Sequence, residues 1–133
     1  MVIDASVWVS VFVPEDAHHL PSRRWLERHI EVGGLVAGPS LLLVEVAGAV
    51  ARRTGLPGFG LRAIDQILDT PGLRLVALGL AEGEIAARLA ARLRLRGADA
   101  VYAEVARVLQ VPLVTWDREL HDRASALVTV LSP

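Results

Sequence analysis

Cysteine is absent from this chain of 133 residues, and so is lysine. Without cysteine there are no disulfides, no thiolate metal sites and no thiol nucleophile, which suits a reducing compartment. Without lysine there is no Schiff-base chemistry and no P-loop cation. Every basic residue is an arginine. No uninterrupted apolar stretch reaches the roughly 18–20 residues that cross a bilayer. The opening segment has no basic stretch and carries Asp4 where a signal peptide would be apolar, so the expected address is the cytoplasm. A net charge of −1 gives no basic field over the whole molecule. Any binding of nucleic acid must then rest on local patches.

What remains is a strongly apolar chain, 53% hydrophobic, with enough residues for one sizeable core. One domain over residues 1–133 is expected. Short apolar runs alternate with longer helical ones. Strands are predicted at Val2-Ile3, Leu35 to Ala37, Leu73 to Ala77, Leu113-Val114 and Val128 to Leu131. Helices are predicted at Ser6 to Phe12, Pro21 to Ile30, about Leu61 to Leu68, about Ala81 to Leu95, Ala98 to Leu109 and Arg118 to Ala124. A further helix is opened by Pro39 and Ser40 and stops at Gly55, proline being well tolerated in a first helical turn. Strands separated by helices imply right-handed crossovers. The fold class is therefore α/β: a three-layer α/β/α sandwich around a mostly parallel sheet of about five short strands. Ligand sites in such sheets gather at the carboxyl ends of the strands.

Glu45 is the residue hardest to explain by packing. It interrupts the apolar run Leu41 to Val50 and has no arginine one helical turn away. A buried carboxylate without a partner costs several kcal/mol, roughly, or takes up a proton. Asp4 ends the first strand, Asp117 follows the fourth, and Asp99 opens the helix that feeds the fourth. All four acids fall on one rim. Each has a structural alternative: the aspartates as helix N-caps, Glu45 as the partner of a distant arginine. If they converge, two carboxylates about 4 Å apart repel by about 4 kcal/mol at an effective dielectric near 20. Mg²⁺, or Mn²⁺ in its place, is the hard cation that such oxygens suit. A metal-activated water beside them fits phosphodiester hydrolysis. Ser6 and Thr115 stand beside Asp4 and Asp117 and are expected to orient them.

Four segments in order carry a resemblance. They are Val2-Ile3-Asp4-Ala5-Ser6; Pro39-Ser40 followed by Glu45; Arg96-Gly97-Ala98-Asp99-Ala100 with Tyr102-Ala103; and Leu113-Val114-Thr115-Trp116-Asp117-Arg118-Glu119-Leu120. The chain resembles the PIN-domain ribonucleases, of the VapC kind found in toxin–antitoxin pairs. The resemblance implies a Mg²⁺-dependent endoribonuclease with Asp4, Glu45, Asp99 and Asp117 as its acidic quartet. It also implies Ser6 and Thr115 as accessory hydroxyls, an RNA substrate, a small antitoxin partner and a homodimer.

Other features carry less. Arg88, Arg92 and Arg96 fall four apart and read as a solvated helical face. Arg96 and Arg118 nevertheless flank two of the acids and are candidates for RNA phosphates. Trp116 is placed where it can stack on a base. Gly58-Phe59-Gly60 lacks the strand and third glycine of a dinucleotide site. His18 and His19 read as solvent-exposed loop residues, and Asp122 as a surface acid. The rival reading is a non-catalytic PIN-like module that binds RNA or protein. Receiver domains need a late lysine, and haloacid-dehalogenase-type phosphatases need an aspartate where Ser6 stands; neither fits.

Overall fold

A computed structural model describes all 133 residues. Five strands, β1 (Val2–Ile3), β2 (Val36–Pro39), β3 (Leu73–Val76), β4 (Leu113–Val114) and β5 (Val130–Leu131), form one sheet. Their order is β3-β2-β1-β4-β5 and every pairing is parallel. Seven helices connect them: α1 (Ala5–Phe12), α2 (His19–Glu31), α3 (Leu41–Thr54), α4 (Pro57–Leu68), α5 (Leu80–Leu93), α6 (Gly97–Leu109) and α7 (Arg118–Ala124). The expected α/β/α sandwich is what forms.

Burial on both faces explains why the central strands are so uniformly apolar. Val2, Ile3, Leu113 and Val114 have no exposed surface at all. Helix α1 packs on α2 and α3, and α3 on α4, while α6 lies against β1, β2 and β4 and packs with α5. The chain moves outward from β1 to β3 and then returns to the other side of β1 as β4. A right-handed connection in each direction puts the two helical sets on opposite faces. The reversal falls between β1 and β4. That crevice is where ligands collect in open parallel sheets.

Several boundaries differ from the sequence reading, each for a local reason. Pro39 is the last residue of β2, paired with Val76, and does not open α3. Lacking an N–H, it ends the ladder, and the Ser40 amide bonds the Val76 carbonyl instead. Helix α4 begins at Pro57, four residues before the expected start, and includes the Gly58-Phe59-Gly60 segment. Gly60 is required by packing: a Cβ there would collide with the Ala47 carbonyl of α3. Helix α5 stops at Leu93 because Arg94 turns left-handed at φ 56°. Arg96 therefore leaves the face shared by Arg88 and Arg92 and becomes the N-cap residue of α6.

Candidate active site

Asp4 leaves β1 at the crevice between β1 and β4 and caps α1. It is 5% exposed, so its charge depends on the donors around it. Three converge on Oδ2: the Ser6 hydroxyl at 2.5 Å, the Ser6 amide at 3.2 Å and the Thr115 hydroxyl at 2.8 Å. Both hydroxyls are themselves held, Ser6 Oγ accepting from the Trp116 amide and Thr115 Oγ1 from the Asp117 amide. The loop after β4 is thus tied to the end of β1 through two side chains. Burial pushes the Asp4 carboxyl above its usual range, with the Ser6 and Thr115 bonds pulling the other way.

Asp117 caps α7, its Oδ1 accepting from the Glu119 and Leu120 amides at 2.8 and 3.1 Å. Its Oδ2 faces Arg96 at 3.4 Å, and the same guanidinium reaches Glu119 at 3.3 Å. Arg96 therefore serves here as the countercharge of two carboxylates at the rim. Capping explains Asp4 and Asp117 in part. It does not explain Asp99, which stands in the third position of α6 and whose Oδ2 is buried with no partner. Its carboxyl is pushed up to about 6, first by burial, then by the charges of Asp4 and Asp117; Arg96 opposes this and Glu45 adds to it.

Glu45 projects from the second turn of α3 and is half-buried. Its partner is not a distant arginine. The Tyr102 hydroxyl of α6 donates to Oε2 at 2.8 Å, linking the two helical layers across the rim. Burial raises the Glu45 carboxyl, the tyrosine bond pulls it back, and Asp4 pushes it up again. Burial, then Glu45 and Asp4, drive the Tyr102 phenol far above its usual range, so it remains a donor. Tyr102 stands in a segment that carries the family resemblance, but the sequence alone assigns it no role in the site. The available signal was its spacing, one helical turn after Asp99 on the same face of α6.

The four acids converge electrostatically without forming a closed cage: no three Asp, Glu or His side chains are close enough to hold an ion as they stand. The donors nonetheless suit a hard divalent cation, being carboxylate oxygens with one of them buried and unbonded. The pattern that defines the PIN domain matches residues 1–126. The chain belongs to the PIN-domain family. No curated protein matches it by sequence. Among solved structures, the PIN fold seen here is similar to VapC20 of Mycobacterium tuberculosis, a sarcin–ricin-loop-cleaving toxin. The TM-score is 0.75 at 21% identity over 94% of this chain and 93% of that one. It is also similar to VapBC2 of Rickettsia felis, solved with a DNA fragment from its promoter. There the TM-score is 0.68 at 14% identity, over 98% of this chain and 96% of that one. At these identities the likeness concerns the fold.

Of the remaining expected contacts in this PIN domain, Arg118 is exposed and Trp116 half-buried. The Trp116 ring is already stacked by His18, centroids 4.0 Å apart and 13° from parallel. Its Nε1 donates to Ser22 Oγ at 2.8 Å, which fixes the indole. Asp122 is a surface acid beside His121, as expected. No helix is long and apolar enough to cross a membrane.

Proposed function

We propose that this PIN domain is a divalent-metal-dependent endoribonuclease acting as the toxin of a VapC-type pair. The observation that carries the reading is Asp99. A half-buried acid whose inner oxygen has no partner, and which three other acids raise, is costly to keep unless its charge is used. Asp4, Glu45, Asp99 and Asp117 are the residues that would hold Mg²⁺, with Mn²⁺ able to replace it. When bound, the ion supplies a water of lowered pKa and neutralises charge on the phosphate.

The chain's own part is placement. Ser6 and Thr115 hold one oxygen of Asp4, so its carboxylate cannot rotate away. Tyr102 does the same for Glu45. Arg96 limits the repulsion at Asp117 and is exposed enough to exchange that carboxylate for an RNA phosphate. A small antitoxin belongs to the same reading, supported by the likeness to VapBC2. A homodimer belongs to it only as what the family resemblance implies.

Structured and unstructured RNAs incubated with the protein and Mg²⁺ should give fragments ending in 5′-phosphate and 3′-hydroxyl. Chelator should stop the reaction, as should Asp4→Asn in a folded protein. Turnover undiminished by chelator would refute the metal mechanism. RNA bound but never cut in ample Mn²⁺ would favour the binding-module alternative.

A further inference from the structure

A cavity of about 400 Å³ opens beside the acids, and Glu45 is the one member of the quartet that lines it. Ser6 and Glu45 form the end that meets the acid site, and the rest of its polar wall is Arg52, His18, Trp116 and the ion-paired Asp16 and Arg53, whose charges offset one another. Its size falls in the range of pockets that enclose a small ligand. Whatever fills it lies against Glu45 and against the hydroxyl residue that holds Asp4.

The wall is organised by α3. Glu45, Ala49 and Arg52 follow one another at helical spacing, so one face of α3 runs from the acid site along the cavity. Seven residues of helix place Arg52 about 10 Å beyond Glu45 along the axis. The Arg52 guanidinium folds back across Gly48, where an added Cβ would meet Nη1 at 3.0 Å. It has no carboxylate partner, unlike the neighbouring Arg53, which is paired with Asp16. Asp16 in turn accepts the His18 amide at 2.8 Å. The Arg53–Asp16 pair thereby anchors the loop that lays His18 on Trp116.

A free guanidinium and a pre-stacked aromatic pair beside a phosphodiester-directed acid site match one ligand chemistry. Single-stranded RNA is recognised by stacking its unpaired bases on aromatic rings and by cations on its phosphates. We infer that this cavity is a nucleotide subsite of the RNA substrate: His18, backed by Trp116, takes an unpaired base, and Arg52 takes a phosphate beyond the scissile one. The inference rests on the nuclease reading and supplies it with a substrate class, unpaired RNA. It also explains how a chain of net charge −1 holds RNA through a local feature.

The test is binding of a fluorescein-labelled single-stranded oligoribonucleotide, in EDTA so that no cleavage intervenes, followed by anisotropy across a salt series. Arg52→Gln and His18→Ala, both at exposed positions, are compared with wild type and with Arg88→Gln, an ion-paired surface arginine of α5. The inference expects each subsite variant to bind about tenfold more weakly, and Arg88→Gln to bind as wild type. Arg52→Gln should also flatten the slope of log K against log salt by about 0.7. Wild-type binding by both subsite variants would overturn it. So would an equal loss in Arg88→Gln, which would mean diffuse attraction, or a wild type that ignores RNA but binds a polyglutamate peptide through Arg52. RNA binding with the expected dependence but no cleavage in Mg²⁺ would sink the nuclease reading and leave the subsite standing. Cleavage with unchanged kcat/KM in both variants would do the reverse.

Discussion

Replacing Asp99 with asparagine removes a charge that the metal-free protein is worse off for having. Folding lifts this carboxyl from an ordinary value of 3.8 to about 6, because burial and then the charges of Asp4 and Asp117 disfavour ionisation. A lift of that size corresponds to about 3 kcal/mol at neutral pH. Asp99 is only partly buried, so solvent screening brings the figure to about 1–2 kcal/mol. The folded carboxyl holds its proton more tightly than the unfolded one. Its cost is therefore absent below the unfolded value of 3.8, grows as pH rises, and is complete above about 6. In EDTA at about pH 7, Asp99→Asn should be more stable than wild type by about 1–2 kcal/mol, the difference vanishing near pH 4. Urea denaturation followed by tryptophan fluorescence at the two pH values measures it. The variant should at the same time lose the stabilisation that wild type gains from added Mn²⁺. A variant less stable than wild type at neutral pH, or an advantage unchanged at acid pH, would refute the electrostatic account of this residue.

Tyr102→Phe deletes the donor to Glu45 while keeping the ring that packs in the core. A hydrogen bond to a charged group contributes about 1.5–3 kcal/mol, so RNA cleavage measured in a fluorogenic assay should fall at least about tenfold with the fold intact. Thr115→Val breaks the link from the Asp117 amide through Oγ1 to Asp4 and leaves a buried carboxylate short of a donor. Thermal denaturation should show a loss of about 1–3 kcal/mol, where an unchanged melting curve would contradict the placement. Arg96→Gln removes the cation that opposes the rise at Asp99. The acidic limb of the pH–rate profile should then move to higher pH, and a limb that stays put or moves down would contradict that role.

Much of this layout was legible because the parallel sheet imposes so little choice. Val2-Ile3 and Leu113-Val114 are apolar at every position, as strands buried on both faces must be. Once they are strands, Asp4 and Thr115 must stand at their carboxyl ends. Helix α6 runs back against the sheet into β4, so Asp99 must begin at the same rim. What could not be read locally was set by contacts between elements. The two glycines near Pro57 look like a helix breaker, yet Gly60 is where α4 must approach the Ala47 carbonyl of α3. Charge suggests charge, so the sequence offers Glu45 a cation shared with the other acids or, as the alternative, a distant arginine; a phenol reaching from the opposite layer leaves no such trace. Arg96 looked like a continuation of α5 until the left-handed turn at Arg94 removed it from that face.

The central claim is that acids from four separate segments make up one divalent-metal site. Calorimetric titration of the RNA-free protein with Mn²⁺ addresses it directly, using wild type and Asp4→Asn, Glu45→Gln, Asp99→Asn and Asp117→Asn. The account predicts that each single change weakens binding about tenfold or more. It also predicts proton release on binding and an affinity that falls steeply as pH drops below about 6, where Asp99 holds its proton. Mn²⁺ affinity indifferent to these substitutions, or to acidification, would contradict it.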